Sequence, residues 1–373
     1  MLAPGGRRGN STVYHPRAMA RVGILGLPNV GKTTLFNALT GLGAPTAPHP
    51  FSTTEPNVGV ARVPDERLDR VADLEGSAKV TYATLDLLDV PAMAGPGGGG
   101  LGAQFLGRLR ETEALAIVLR AFHDDAVPDG ESGTDPVEQA ESLLLELALA
   151  DAEVFTRRAE RAAKEATTDA SLKTAAAAIG RAAAILEDGT PLRAGDWSDQ
   201  DLGAFRDLAP LTIKPAVWVI NVDEDASVDA SAVQAVVPEG DLVVVLSARI
   251  EEEAAELDPE DRAELLEGLG LGEGALATMV RAIYSALGLI SFFTAGPKES
   301  RAWTVRAGAS APEAAGKIHS DLERGFIRAE VAPVGEVIEA GGWDAAKAAG
   351  ALRLEGKDYV VAEGDVIVVR FSV

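Results

Sequence analysis

The chain has 373 residues, a formal net charge of −23, four histidines and no cysteine. Lack of cysteine excludes disulfides, thiolate metal sites and cysteine nucleophiles, and the acidic balance argues against broad, nonspecific nucleic-acid binding while leaving room for a local basic patch on structured RNA. With 47% hydrophobic and 24% charged residues the chain is long and apolar enough for two or three soluble domains, and no apolar run reaches the roughly 18 residues of a membrane span. Residues 1–18 carry Arg7, Arg8 and Arg17 with no apolar core behind them, which argues against a signal peptide. They are predicted to be a disordered extension, with Met19 an alternative start.

Val22–Leu25 reads as a short buried strand, which breaks into the turn Gly26-Leu27-Pro28-Asn29-Val30-Gly31. Lys32-Thr33-Thr34 then opens a helical pattern. G-x-x-x-x-G-K-[ST] between a strand and a helix is the Walker A arrangement. The glycines let backbone N–H groups turn inward on a phosphate, and the positive helix end adds to them. Asn29, Val30, Gly31, Lys32, Thr33 and Thr34 are therefore predicted to contact nucleotide, Lys32 reaching the β/γ-phosphates and the Thr33 hydroxyl ligating Mg²⁺.

The proline-rich stretch 41–57 is predicted to be a loop beside the phosphates, able to offer a hydroxyl (Thr53 or Thr54) to Mg²⁺. Val58–Val63 alternates as a strand, and Thr84–Asp89 is the next, ending on a carboxylate placed as a Walker B acid. The glycine tract 91–101 reads either as a linker or as a loop ordered by nucleotide or a partner. Leu115–Arg120 is a further buried strand. From Pro136 to Leu186 the apolar spacing is that of amphipathic helix, broken near Thr167-Thr168-Asp169 into an antiparallel pair: a packed spacer or a partner-binding arm. Strand patterns resume at Ala216–Ile220, ending in Asn221-Val222-Asp223-Glu224, and at Leu242–Leu246, ending in Ser247-Ala248. The helices thus interrupt a single nucleotide-binding sheet. Acidic helices follow from Glu251 to about Leu287. After Ile290, short β-like runs around a helical stretch at Ala311–Arg324 suggest a small α+β module. The four histidines stand too far apart in sequence for metal-ligand spacing.

Several strings resemble, in order from Met19 to Val373, the YchF-type branch of the Obg-related GTPases. They are GLPNVGKTTLFNALT, PFSTTEPNVG, NVDE at Asn221, AGPKESRAWTV, APEAAGKIHSDLERGFIRAE and EGKDYVVAEGDVI. The resemblance implies an α/β fold: a Ras-like P-loop NTPase sheet with an inserted helical coiled-coil hairpin, then a C-terminal β-grasp (TGS) α+β domain. The corresponding division is 19–138 and 207–289 for the two parts of the nucleotide-binding domain, 139–206 for the insertion and 290–373 for the TGS domain. It further implies a protein that hydrolyses nucleoside triphosphates slowly and associates with the ribosome; the lack of cysteine fits a cytoplasmic location, and a monomer is expected. Lys32, Thr53 and Asp89 would serve hydrolysis, and Thr33, Thr53 and Asp89 the metal. Asn29 holds a position used for K⁺ in some related GTPases, or is simply a turn residue. RNA contact through Lys298, Arg301, Lys317, Arg324 and Arg328 of the TGS domain is weighed against ordinary solvated charge.

Relatives in the wider GTPase class read guanine with N-K-x-D. Here Asn221, Val222 and Glu224 occupy those positions, with Ser247 and Ala248 on the next nucleotide-facing loop. Glu224 is a methylene too long for the bidentate guanine contact, and Val222 lacks the lysine stem that covers the base. The expected ligand is therefore ATP ahead of GTP. Around the γ-phosphate, the family's D-I-A-G-L reads Asp89-Val90-Pro91-Ala92-Met93, and its H-V-V-R reads Ile117-Val118-Leu119-Arg120. Ile117 cannot position or deprotonate water as imidazole can, so weak turnover is expected. The alternative is a nucleotide-bound interaction protein with negligible hydrolysis.

Overall fold

The computed structural model describes residues 20–44, 57–90, 103–124, 133–224, 228–269 and 274–372. Its strands are β1 (Arg21–Gly26), β2 (Asn57–Val63), β3 (Val80–Thr81), β4 (Ala83–Asp89), β5 (Ala114–Arg120), β6 (Ala216–Asn221), β7 (Leu242–Leu246), β8 (Leu289–Thr294), β9 (Ser300–Arg306), β10 (Phe326–Pro333), β11 (Arg353–Glu355) and β12 (Asp365–Phe371). The chain separates into two compact units. The first comprises the chain to Thr34, Ala44, Asn57 and Leu88–Ala248; the second comprises Leu35–Gly43, Val58–Leu87 and Arg249 onward.

In the first unit β1, β5, β6 and β7 run parallel in that order, with Ile24 opposite Ala116, Ile117 opposite Trp218 and Ile220 opposite Val245. Val90 N donates to Ile24 O at 3.2 Å, which sets the end of β4 beside β1. Every residue of β5 and β6 is buried, as a parallel strand covered on both faces requires. The insertion is a helix Pro136–Thr168 and a helix Lys173–Glu187. Asp135 caps the first through Val137 N, with Pro136 at the first helical position where its missing N–H costs nothing. At Asp169 the backbone turns extended and the side chain accepts from Ser171 N, so the break expected at Thr167–Asp169 is a cap. Phe155, Ile179, Leu186, Trp197 and Phe205 form the hairpin's own core, with Phe205 edge-on to Phe155 and Trp197 at 5.3 and 5.0 Å.

Buried charges hold the base of this hairpin. Asp151, fully buried, accepts from Arg110 Nη1 (2.8 Å), Leu211 N (3.0 Å), Thr212 N (2.8 Å) and Thr212 Oγ1 (2.9 Å). Arg110, the last residue of the helix Ala103–Arg110, also donates to the carbonyls of Ala150 and Ala209. Lys214 Nζ donates to the carbonyls of Leu109, Arg110 and Thr112; burial brings its pKa down to about 7. At the hairpin's exit Arg193 pairs with Asp241, which also accepts from Trp218 Nε1 at 2.9 Å.

In the second unit β2 and β4 are neighbours, joined through a helix Glu66–Glu75 capped by Asp65 and stopped by Gly76 in the left-handed region. The other sheet has the order β11-β10-β12-β8-β9-β3. Phe292, Val305, Ala314, Ala315, Val331 and Ile367 pack between it and the helix Ala311–Ile318. This is the small α+β module expected after Ile290, with additions that the sequence patterns did not single out: β8, the helices Val334–Ala340 and Trp343–Ala348, and β3. The last comes from the segment between β2 and β4: Val80 lies opposite Ser300, and Ser300 N donates to Lys79 O at 3.0 Å. Among the described residues no helix is long and apolar enough to cross a membrane.

Candidate functional site: a P-loop nucleotide site

The turn from β1 into the helix Lys32–Thr40 is built on backbone angles that L side chains resist. Gly26 has φ +157° and Gly31 φ +93°; a Cβ on Gly26 would lie 2.4 Å from Val118 O, and one on Gly31 2.3 Å from Asn221 Nδ2. Asn29 is left-handed at φ 61°, a conformation that Asn tolerates better than most residues, so turn geometry alone accounts for it. The glycines of the Walker pattern are therefore required both by the turn and by the close approach of β5 and Asn221.

Lys32 is 7% exposed and its ammonium donates to Gly26 O (3.2 Å) and Leu27 O (2.7 Å). Burial lowers its pKa to about 8, with the Asp89 charge pulling the other way. A cation thus lies against the inside of the P-loop, with two carbonyls as its partners. Thr33 Oγ1 donates to Asp89 Oδ2 at 3.0 Å, and Asn57 Nδ2 donates to the same oxygen at 3.1 Å. Burial raises the Asp89 carboxyl's pKa, while the Asn57 and Thr33 donors and the Lys32 charge act to lower it. One carboxylate and one hydroxyl side by side form a hard, anionic oxygen pair, a donor set that suits Mg²⁺. Thr34 follows on the same helix, half-buried. Thr53, together with Thr54, Pro91, Ala92 and Met93, lies outside the described residues. Among the described residues no group of three or more His, Asp or Glu side chains could hold a metal by itself.

Asn221, 5% exposed at the end of β6, uses both ends of its amide. Nδ2 donates to Val30 O at 3.0 Å, and Oδ1 accepts from Ala248 N at 2.9 Å. It therefore ties the P-loop to the loop after β7. Val222 is buried and its N–H donates to Leu246 O at 2.9 Å. Glu224 is exposed, and Ser247 half-buried. Neighbouring Asp223 accepts from His123 N at 3.0 Å. Ile117, 1% exposed, belongs to an apolar cluster with Leu25, Leu88, Val90 and Trp218. Its side chain is a core element of that cluster.

The structure thus brings Lys32, Thr33 and Asp89 together, and ties Val30 and Gly31 to Asn221 and Ala248. It adds Asn57, which the sequence patterns passed over. The available signal was a polar residue opening an alternating strand just after the proline-rich loop.

Residues 289–372 match the YchF GTPase C-terminal family, whose description is a protein of unknown function (DUF933), and residues 21–152 match a family described as 50S ribosome-binding GTPase. The chain is 41% identical over 363 residues to the ribosome-binding ATPase YchF of Bacillus subtilis (strain 168), covering 94% of this chain and 99% of that protein. The chain belongs to the YchF family. Against the ribosome-binding ATPase YchF of Escherichia coli O157:H7 the identity is 42%, covering 95% of this chain and 99% of the relative. Obg-like ATPase 1 of Oryza sativa subsp. japonica is 36% identical, with 95% and 92% covered. The solved Schizosaccharomyces pombe YchF GTPase superposes with a TM-score of 0.82 at 30% identity, covering 95% of this chain and 99% of that one. The YchF architecture therefore extends through both units.

Proposed function

We propose that this YchF-family chain is a P-loop NTPase that binds ATP ahead of GTP with Mg²⁺, hydrolyses it slowly, and changes its affinity for the ribosome with nucleotide state. The observation that carries this is the pairing of Thr33 with Asp89 at 3.0 Å beside a buried Lys32 on the P-loop carbonyls. Lys32 would leave those carbonyls for the β/γ-phosphates; Thr33 and Asp89, joined by Thr53, would hold Mg²⁺, which would supply positive charge against the charge developing on the phosphate. Asn29 to Thr34 line the phosphates, and Asn221, Val222, Glu224, Ser247 and Ala248 the base.

Preference for adenine rests on Glu224 and Val222, which cannot reproduce the paired acceptor and lysine cover that guanine needs. Slow turnover is supported by Ile117, whose apolar burial leaves the position without acid–base chemistry. Ribosome association is supported by the names of the Bacillus and Escherichia relatives, both ribosome-binding ATPases. We take the protein to be cytoplasmic and monomeric, divided as 19–138 with 207–289, 139–206 and 290–373. Within the last part Arg301 stacks over Trp303 at 4.2 Å and Arg324 pairs with Asp321, which makes Lys298, Lys317 and Arg328 the better candidates for RNA contact. The test is competition of ATP and GTP against a labelled nucleotide in the presence of Mg²⁺. ATP should displace the label at the lower concentration; a strong GTP advantage overturns the assignment.

A further inference from the structure

The Walker pattern assigns Thr33 and Asp89 but is silent on what aims the carboxylate. Asp89 ends β4 and is 4% exposed. Among the described residues two side-chain donors converge on one of its oxygens: Thr33 Oγ1 at 3.0 Å and Asn57 Nδ2 at 3.1 Å reach Oδ2. The two differ in kind. The threonine hydroxyl turns about a single bond and must also offer a lone pair to a metal. The asparagine amide nitrogen is a donor only, so it can serve Oδ2 whether or not a metal is bound, and its residue opens β2.

We propose that Asn57 is a positioning residue for the metal half of the site: its side-chain amide, acting through Asp89 Oδ2, holds that carboxylate in the orientation that meets a nucleotide-bound Mg²⁺. This rests on the reading of Thr33 and Asp89 as the Mg²⁺ residues. Asn57 itself need not touch metal or phosphate. Its bond to a carboxylate is of the charge-assisted kind, so its loss should cost about tenfold in whatever depends on that orientation.

The experiment is equilibrium binding of a fluorescent ATP analogue to the full chain, titrated with Mg²⁺ and repeated in EDTA, with thermal unfolding of each variant as a check. For Asn57→Ala the Mg²⁺ concentration giving half of the affinity gain should rise about tenfold, while affinity in EDTA stays within about twofold of the unmodified chain. Asn57→Leu keeps the volume without the donor, should behave alike, and replaces Asn57→Ala if that variant does not fold. Asp89→Asn should abolish the Mg²⁺ gain, and Asn57→Ala added to it should change nothing more. The proposal is overturned if the Asn57 variants titrate like the unmodified chain. It is equally overturned if they lose the same factor in EDTA as in Mg²⁺, which is a structural role, or if they still act when Asp89 is Asn. If the unmodified chain gains nothing from Mg²⁺, or Asp89→Asn leaves the gain intact, the underlying assignment of the metal residues fails and takes the proposal with it.

Discussion

Lys32 links the structure of the P-loop to a pH dependence that can be measured. Its ammonium is buried against the Gly26 and Leu27 carbonyls, and its pKa falls from 10.5 to about 8. A triphosphate brought to the P-loop supplies negative charge and raises that pKa again, so nucleotide binds the protonated form and takes up a proton above pH 8. At pH 7 roughly a tenth of the unliganded protein lacks the proton, and at pH 9 roughly nine-tenths does, so affinity should fall about tenfold between them. Lys32→Arg keeps the charge without a titration in this range and should give a flat profile, though at weaker absolute affinity. The stability of unliganded protein carries the opposite sign. Between pH 8 and 10.5 the unfolded chain holds the Lys32 proton that the folded chain has lost. Folding stability therefore rises with pH through that window, by on the order of 3 kcal/mol from this group. Fluorescent-nucleotide titrations from pH 6.5 to 9.5 measure the first effect. A flat profile for the unmodified protein, or the same slope in Lys32→Arg, would refute the reasoning.

Other positions give sharp expectations. Gly31→Ala places a Cβ 2.3 Å from Asn221 Nδ2 at φ +93°, so it should cost about 2 kcal/mol in stability and at least tenfold in nucleotide affinity, read by denaturant unfolding and binding. Arg110→Ala leaves the fully buried Asp151 without its cation; unfolding should show a loss of about 3–5 kcal/mol, whereas Arg157→Ala, at an exposed pair on the helix that carries Asp151, should change little. Val222→Lys combined with Glu224→Asp restores the guanine-reading pattern and should move the ATP:GTP affinity ratio towards GTP by about tenfold or more.

The nucleotide-binding sheet was largely legible because its strands carry unbroken apolar runs closed by functional residues. Val22–Leu25, Leu115–Arg120 and Ala216–Ile220 all fall within β1, β5 and β6. The helical break was legible because Asp169 is a cap residue in a run of good helix formers. What stayed hidden depends on distance in sequence. Arg110, Asp151 and Lys214 look like surface charges until the fold brings together segments 41 to 105 residues apart. β3 is two residues long, and only its pairing with β9 makes it a strand. Asn57 and Asp89 are 32 residues apart, and no spacing rule joins them. Asn221 carried a motif signal for the base, whereas the use of its whole amide between Val30 and Ala248 is a tertiary fact.

Phosphate release from ATP tests the central claim most directly, measured on the full chain with Mg²⁺, with and without ribosomes and K⁺, using Lys32→Ala as the blank. Slow release above the blank, increased by ribosomes, is the predicted result. Release that never exceeds the blank under any of these conditions would contradict it, leaving a nucleotide-bound interaction protein in place of a slow ATPase.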